Sequence, residues 1–224
     1  MTPRTAVLLG ASGLVGRYCL RALLDGDDWG KVRFLTRRDL GLAPHPKLEQ
    51  KLVADMGKLT AADLSGANDV FCATGTTIAK AGSQEEFQRI DHALPLAAAR
   101  AALGAGAQQF ILVSSVGADP NSKNFYLRTK GELERDLSEL KFPVIHIMRP
   151  GLLLGHREEF RPGERLATRL APFVNLTLYG PLKRYRSISA ERVGRAMAGA
   201  ARQEEKAGRF VHEFDDIVKL AGDR

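Results

Sequence analysis

A glycine-rich turn near the start of the chain most constrains its fold. An apolar run over residues 6–9 stops at Gly10, and an amphipathic helical pattern covers residues 14–24. In parallel α/β sheets, this order of strand, turn and helix places the first helix N-terminus against the pyrophosphate of a dinucleotide. The sequence therefore predicts a buried strand that ends in a phosphate-binding turn.

Each of the three glycines in this turn has its own expected task. Gly10 permits the tight turn, Gly13 lets backbone N–H groups approach a pyrophosphate, and Gly16 lets the helix pack closely on the strand. The predicted phosphate-binding residues are Gly10, Ser12, Gly13, Leu14, Val15 and Gly16. A glycine-rich turn without a ligand remains an alternative, because such triplets also occur in ordinary βα turns.

Length and composition favour one domain without a membrane segment. The 224 residues show no break in composition, so we expect a single α/β domain with a reduced substrate or lid region at about residues 156–188. Residues 1–4 lead directly into the first strand, and no apolar run approaches the roughly 20 residues that span a bilayer. These features predict neither a signal peptide nor a transmembrane helix, and we expect a cytoplasmic location.

The charge and the polar residues exclude several partners. The net charge is +7, but acidic residues interleave with the basic ones, so we expect neither a specific nucleic-acid partner nor a membrane surface. The five histidines lack the spacing of metal ligands, which argues against a metal site. Cys19 and Cys72 fall in apolar patterns and are expected to be buried, reduced thiols.

The end of the second predicted strand bears on the choice of cofactor. A strand over residues 31–36 ends at Arg37 and Arg38. In dinucleotide-binding folds, an acidic residue about 20 positions after the glycine turn binds the ribose of NAD, whereas arginine accommodates the 2′-phosphate of NADP. Guanidinium groups pair bidentately with phosphate, so NADP(H) is favoured over NAD(H). An exposed basic pair at a strand end, without a ligand, is the alternative.

Two further strand ends supply candidate cofactor contacts. A third strand over residues 51–55 ends at Asp55, which falls where adenine would lie but could equally cap the segment that follows. A fourth strand over residues 69–73 is followed by Thr74, Gly75 and Thr76. Their small side chains would let a cofactor cross the carboxyl edge of the sheet, where ligands bind in open α/β folds.

The second half of the chain holds the candidate catalytic residues. A helical pattern over residues 84–105 is interrupted by Pro95, which we expect to kink the helix, and a strand over residues 109–114 precedes Ser115. The next helix, over residues 125–140, places Tyr126 and Lys130 four positions apart on one face. The cation favours the phenolate, which suits the tyrosine to exchange a proton with a carbonyl or an alcohol.

The repeated alternation of strand and helix predicts an α/β fold of the Rossmann type, with a doubly wound parallel sheet. A sixth strand over residues 144–148 leads into Arg149, Pro150 and Gly151, and a helix over residues 190–200 is predicted to be capped by Ser189. Residues 210–220 are predicted to end the chain as one short strand or helix.

Several motifs together resemble the extended or atypical branch of the short-chain dehydrogenase/reductase superfamily. The glycine turn, Ser115, the Tyr126-xxx-Lys130 pair and Arg149-Pro150-Gly151 occur in that family's order. More narrowly, the chain resembles the Tat-interacting protein oxidoreductase-like group at residues 9–13, 75–77, 80–82, 114–119, 130–132 and 161–164.

This resemblance implies roles for particular residues. Tyr126 would be the catalytic acid and base, Lys130 would bind the nicotinamide ribose, and Ser115 would steady the substrate oxygen. The nicotinamide would lie near Pro150, Gly151 and Leu152.

Together with the arginine pair, these motifs favour an NADP(H)-dependent oxidoreductase for a small carbonyl or alcohol, and we expect a monomer or homodimer. A nucleotide-sugar epimerase would use the same three residues, but the short carboxyl region leaves little room for its substrate. The other alternative is a regulatory or scaffold protein that binds NAD(P)H with little or no turnover.

Overall fold

The computed structural model describes residues 3–155, 178–203 and 207–222. The strands are β1 (Arg4–Leu9), β2 (Trp29–Thr36), β3 (Leu48–Leu52), β4 (Asp69–Cys72), β5 (Gln109–Val113), β6 (Val144–Met148), β7 (Leu153–Leu154), β8 (Ile188–Ser189) and β9 (Gly208–His212). The helices are α1 (Gly16–Asp25), α2 (Ile78–Ala81), α3 (Gln84–Gln88), α4 (Leu94–Gly104), α5 (Phe125–Glu139), α6 (Ala190–Ala201) and α7 (Phe214–Leu220).

Seven strands form one parallel sheet in the order β3-β2-β1-β4-β5-β6-β9. The chain moves outward from β1 to β3 and then returns to place β4 on the other side of β1. The point between β1 and β4 is therefore the topological switch point, where open α/β sheets form a ligand-binding crevice. The predicted doubly wound Rossmann-type fold is confirmed. β7 and β8 form a separate parallel pair.

Each face of the sheet is buried under helices. Successive residues of β1 point to opposite faces, so Leu8 packs in the core beneath α1, α6 and α7, while Leu9 packs in the core beneath α4 and α5. Both leucines are fully buried, and each contributes about 1.5–3 kcal/mol to folding through removal of apolar surface from water. The apolar strands predicted from the sequence are thus explained by a sheet covered on both sides.

Two predicted elements differ from the structure, and a third prediction falls largely outside the described residues. β3 begins at Leu48 rather than at residue 51, because this edge strand is only half-buried and lacks the apolar run that marks an inner strand. Residues 210–220 form parts of two elements, β9 and α7. Most of the predicted lid, residues 156–177, lies outside the described residues, and residues 178–188 contain a 3₁₀ turn at Gly180–Tyr185.

The long helical pattern around Pro95 contains a π turn at Arg89–Ala93 between α3 and α4. The N–H of Leu94 donates to the carbonyl of Arg89, five residues back, which defines the wide turn. Pro95 follows in the first turn of α4 and does not end the helix. The irregularity is a widened turn before the proline, and it faces the carboxyl edge of the sheet.

Candidate functional site

A cleft of about 510 Å³ lies at the switch point of the sheet. Its walls come from the loops that follow β1, β2, β3 and β4 and from the π turn. Among the predicted cofactor-binding residues, those in its walls are Gly10, Ser12, Gly13, Arg37, Asp55, Thr74 and Gly75. The volume lies within the range of small-molecule and cofactor sites.

The geometry of the turn after β1 requires glycine at two positions. Gly10 has φ +87°, and a Cβ there would lie 2.7 Å from the carbonyl carbon of Ala73. A Cβ on Gly16 would lie 1.9 Å from the carbonyl oxygen of Gly10, so only a glycine lets α1 start this close to the strand. Gly16, Leu14 and Val15 do not belong to the cleft wall. Val15 is instead buried in the core.

Arg37 lies in the cleft wall, whereas Arg38 is an exposed residue outside it. A second arginine, Arg89 of the π turn, also lies in the wall and makes two 2.7 Å contacts to the Glu86 carboxylate. Hydrogen bonding and charge from Arg89, with a further contribution from Arg37, lower the pKa of Glu86. No sequence pattern pointed to Arg89, because its position in the cleft wall depends on the widened turn.

Asp55 acts as a cap in this structure. Its Oδ1 accepts a 2.9 Å hydrogen bond from the N–H of Gly57, at the start of the 3₁₀ turn Met56–Lys58. The residue also lies in the cleft wall. Of the two alternatives open at the sequence level, the capping role is observed, and contact with adenine stays a prediction.

Lys130 is held by an acidic partner that the sequence analysis did not identify. Its Nζ lies 2.7 Å from Oδ1 of Asp91, and the two side chains are only 5% and 1% exposed. Burial alone would lower the pKa of Lys130, but attraction to Asp91 and Tyr126 outweighs it, and the pKa lies above its usual value. We therefore assign a charged ammonium to Lys130.

Asp91 also joins this lysine to the loop after β4. Its Oδ2 accepts a 2.8 Å hydrogen bond from the N–H of Thr76. A Cβ on Gly75 would lie 3.3 Å from Oδ1 of Asp91, so the loop approaches the carboxylate closely. Thr76 itself is outside the cleft wall. The sequence analysis did not distinguish Asp91 from the other polar residues of the helical pattern over residues 84–105.

Tyr126 lies in the first turn of α5, where the side chain of Asn124 caps the helix by accepting from the N–H of Leu127. The tyrosine is half-buried, and its ring centroid is 5.6 Å from that of Phe87 in α3. Lys130 follows one helical turn later on the same side of α5. The structure thus combines a partly accessible phenol with a buried cation in one region.

The remaining predicted residues follow β5 and β6 and do not belong to the cleft wall. Ser115 is half-buried, while Ser114 is buried and donates a 2.6 Å hydrogen bond to Glu134. The N–H of Val116 donates to the carbonyl of Pro150 at 3.0 Å, which holds the two loops side by side.

Beyond Pro150, a Cβ on Gly151 would lie 2.4 Å from the carbonyl oxygen of Arg186, and Leu152 is 52% exposed.

Across the described ranges, no group of three metal-ligating side chains is found. The same ranges contain no helix that is both long and apolar enough to cross a bilayer.

A family model described as NAD(P)H-binding matches residues 10–204. This range includes the glycine turn, both arginine positions, the Tyr126–Lys130 pair and the loop after β6. The chain belongs to the NAD(P)H-binding family. A nicotinamide dinucleotide is the ligand that the description of this family names.

Named relatives cover most of this NAD(P)H-binding chain. Protein FMP52, mitochondrial, of Candida albicans is 37% identical over 224 residues, covering 96% of both chains. Protein HTATIP2 of Rattus norvegicus is 39% identical over 171 residues, covering 75% of this chain and 70% of its own, so the narrower resemblance, to the Tat-interacting protein group, is confirmed. The solved structure of the oxidoreductase ylbE from Lactococcus lactis has a TM-score of 0.68 with 16% identity and 97% coverage of each chain. This last likeness supports the fold alone.

The expected cytoplasmic location is wrong for this NAD(P)H-binding protein. Fungal relatives that are 34–40% identical carry the word mitochondrial in their names, and two of them match over 96% of this chain. The expectation rested on the residues before the first strand and on the lack of a long apolar run. Neither observation determines the compartment of a protein.

Proposed function

We propose that this NAD(P)H-binding protein is an NADPH-dependent oxidoreductase for a small carbonyl compound or the corresponding alcohol. The observation that carries the proposal is the buried, charged Lys130 beside Tyr126, held by Asp91 next to the dinucleotide cleft. A charged lysine near a phenol is the arrangement that prepares tyrosine for proton transfer. The proposed partner is a small molecule, and the proposed assembly is a monomer or homodimer.

The residues of the cleft fit a dinucleotide. The close approach of Gly10 to Ala73 leaves no room for a side chain at position 10, and backbone N–H groups at the start of α1 would bind the pyrophosphate. Arg37 and Arg89 lie in the same wall and would bind the adenosine 2′-phosphate. Arg38, which lies outside the wall, is assigned a secondary role through its charge.

The chemistry divides between the cofactor and the side chains. When bound, the reduced nicotinamide supplies a hydride. The hydroxyl of Ser115 orients the carbonyl oxygen, and the phenol of Tyr126 donates its proton to that oxygen. Lys130, kept charged by Asp91, stabilises the phenolate that remains. General acid catalysis of this kind contributes about 10²–10⁴ in rate.

The test of turnover is NADPH oxidation against a panel of aldehydes, ketones and quinones. Tyr126→Phe keeps the ring contact with Phe87, so the fold should survive, while kcat at saturating NADPH should fall by about 10²–10⁴. Tyr18→Phe is the matched control, because Tyr18 lies on α1 against α6, and this variant should keep the wild-type rate. An equal rate in Tyr126→Phe and wild type would remove Tyr126 as the acid.

The cofactor preference has its own test, which needs no substrate. NADPH should bind more tightly than NADH, and the double variant Arg37→Ala, Arg89→Ala should bring the two dissociation constants together. Arg38→Ala is the control, and it should change the ratio less because this side chain lies outside the wall. Equal affinities of the unmodified protein for the two cofactors would refute the assignment.

One observation favours a second function, that of an NAD(P)H-binding regulatory or scaffold protein with little turnover. The Lys130 ammonium is already engaged by Asp91 and only 5% exposed, so a ribose hydroxyl would compete for it with a carboxylate. Under this function, NADPH binds, no compound of the panel is reduced, and Tyr126→Phe leaves cofactor binding unchanged.

A further inference from the structure

Helix α5 carries a third polar residue on the side that bears Tyr126 and Lys130. Glu134 follows Lys130 by one helical turn, as Lys130 follows Tyr126. The Glu134 side chain is only 2% exposed. A carboxylate this deeply buried requires partners that compensate its lost hydration.

The Glu134 carboxylate contacts residues from three neighbouring parts of the sheet: the residue after β5, the residue after β6, and β9. Ser114, just after β5, donates to Oε1 at 2.6 Å, and Arg149, just after β6, donates through Nε to Oε1 at 3.0 Å. A second nitrogen of Arg149, Nη2, reaches Oε2 at 2.5 Å. Arg209 of β9 completes the cluster through a 2.8 Å contact from its own Nη2 to Oε2.

Two of these partners stand directly before residues of the proposed active site. Ser114 precedes Ser115, and Arg149 precedes Pro150. Between the two loops, backbone hydrogen bonds run from Ser114 N to the Met148 carbonyl at 2.7 Å and from Val116 N to the Pro150 carbonyl at 3.0 Å. These bonds join the loops to each other. The loop after β5 is joined to α5 by the hydrogen bond from the Asp119 N–H to the Leu127 carbonyl at 3.1 Å, and the side chain of Glu134 adds a second connection, which reaches both loops.

We infer that Glu134 is a positioning residue, which sets the Ser115 loop and the Pro150 loop at a fixed distance from Tyr126. The inference rests on the proposed oxidoreductase function. A carbonyl substrate must meet the Ser115 hydroxyl and the Tyr126 phenol together, although the two groups belong to different elements. A displacement of about 1 Å in such a geometry can cost about 10² in rate.

The test compares three variants. Glu134→Gln keeps the shape and removes the charge that holds Arg149, and Ser114→Ala removes one hydrogen bond while leaving the ion pairs intact. Arg209→Gln is the control, because Arg209 contacts the same carboxylate from β9, away from both loops, and is 36% exposed. Two readouts are measured: amide hydrogen exchange of residues 114–118 and 149–152, and kcat and KM for a compound reduced by the wild type.

Glu134→Gln should speed exchange in both segments and lower kcat by about 10-fold or more, while the NADPH dissociation constant changes less than about 3-fold. Ser114→Ala should speed exchange in residues 114–118 and lower kcat by several-fold; this variant decides the matter if Glu134→Gln does not fold. Arg209→Gln should lower the melting temperature and leave both readouts unchanged.

The inference is overturned if amide exchange is unchanged in Glu134→Gln, or in Ser114→Ala where Glu134→Gln does not fold. A loss of kcat in Arg209→Gln equal to that in Glu134→Gln would also overturn it. If the wild type reduces no compound of the panel, the proposed function fails, and the exchange measurements alone decide the role of Glu134.

Discussion

Replacing Asp91 by Asn tests the contact on which the proposed catalytic centre depends. The amide keeps an oxygen that can accept from the N–H of Thr76. The substitution therefore removes only the negative charge of Asp91, which is the counter-ion of Lys130. Removal of the carboxylate leaves a buried ammonium without its counter-ion. We expect the free energy of unfolding to fall by about 3–5 kcal/mol, the usual cost of breaking a buried ion pair from one side.

The distance supports this magnitude. Two unit charges 2.7 Å apart interact by about 6 kcal/mol at an effective dielectric constant of about 20. Part of this interaction offsets the cost of burying both groups, so the double variant Asp91→Asn, Lys130→Met should recover much of the loss. The expected coupling energy in the double-mutant cycle is about 2–4 kcal/mol.

Urea unfolding can be followed through the fluorescence of Trp29, the single tryptophan, which is fully buried. In the wild type, the pKa of Lys130 is raised on folding, so its contribution to the free energy of unfolding is fully present below pH 10.5. That contribution declines as pH rises through the folded-state pKa. In Asp91→Asn, burial lowers that pKa instead, so stability should rise as pH approaches 10.5. A loss under about 1 kcal/mol, with no coupling in the cycle, would refute the reasoning.

Three further changes test other parts of the fold. Burial and the neighbouring His212 lower the pKa of His146 from 6.5 to about 4. As pH falls, the unfolded state therefore binds the proton before the folded state does. The free energy of unfolding should fall by about 3 kcal/mol between pH 6.5 and pH 4. His146→Phe should flatten that slope in urea unfolding, and an unchanged slope would exclude His146 as its source. Gly16→Ala should destabilise the protein by about 1–3 kcal/mol and weaken NADPH binding at least about 10-fold, whereas Gly104→Ala, whose Cβ would meet only ordinary contacts, should do neither. Ser189→Ala removes the cap that accepts from the N–H of Arg192 at the start of α6, and thermal unfolding should report a loss of about 1 kcal/mol.

The sequence predicted the features that depend on neighbouring residues. The glycine turn, the inner strands and the Ser189 cap all follow from patterns over a few positions, and the structure has each of them. The edge strand β3 was misplaced, because its half-buried residues carry no apolar run. Local patterns therefore sufficed for the fold wherever an element is buried on both faces or ends in a recognisable cap.

The partners of the candidate catalytic residues could not be predicted in this way. Asp91 was one unremarked polar residue in the helical pattern over residues 84–105, and the π turn and the packing of α5 bring it to Lys130. Glu134 meets Arg209, 75 positions later, because β9 joins the sheet beside β6. Such contacts depend on the assembled topology, and a single sequence contains no local signal for them.

The π turn at Arg89–Ala93 divides one continuous helical segment into two rotational registers. A π turn holds one residue more than an α turn, so the segments before and after it are offset by about 100°. Before the turn, Phe87 faces the rings of Phe125 and Tyr126; after it, residues such as Leu96 pack into the core beneath α4 and α5. Because of this offset, Arg89 and Ile90 line the cleft while the helix that follows keeps its apolar face on the sheet. One widened turn thus lets a single helical segment serve both the cleft and the core.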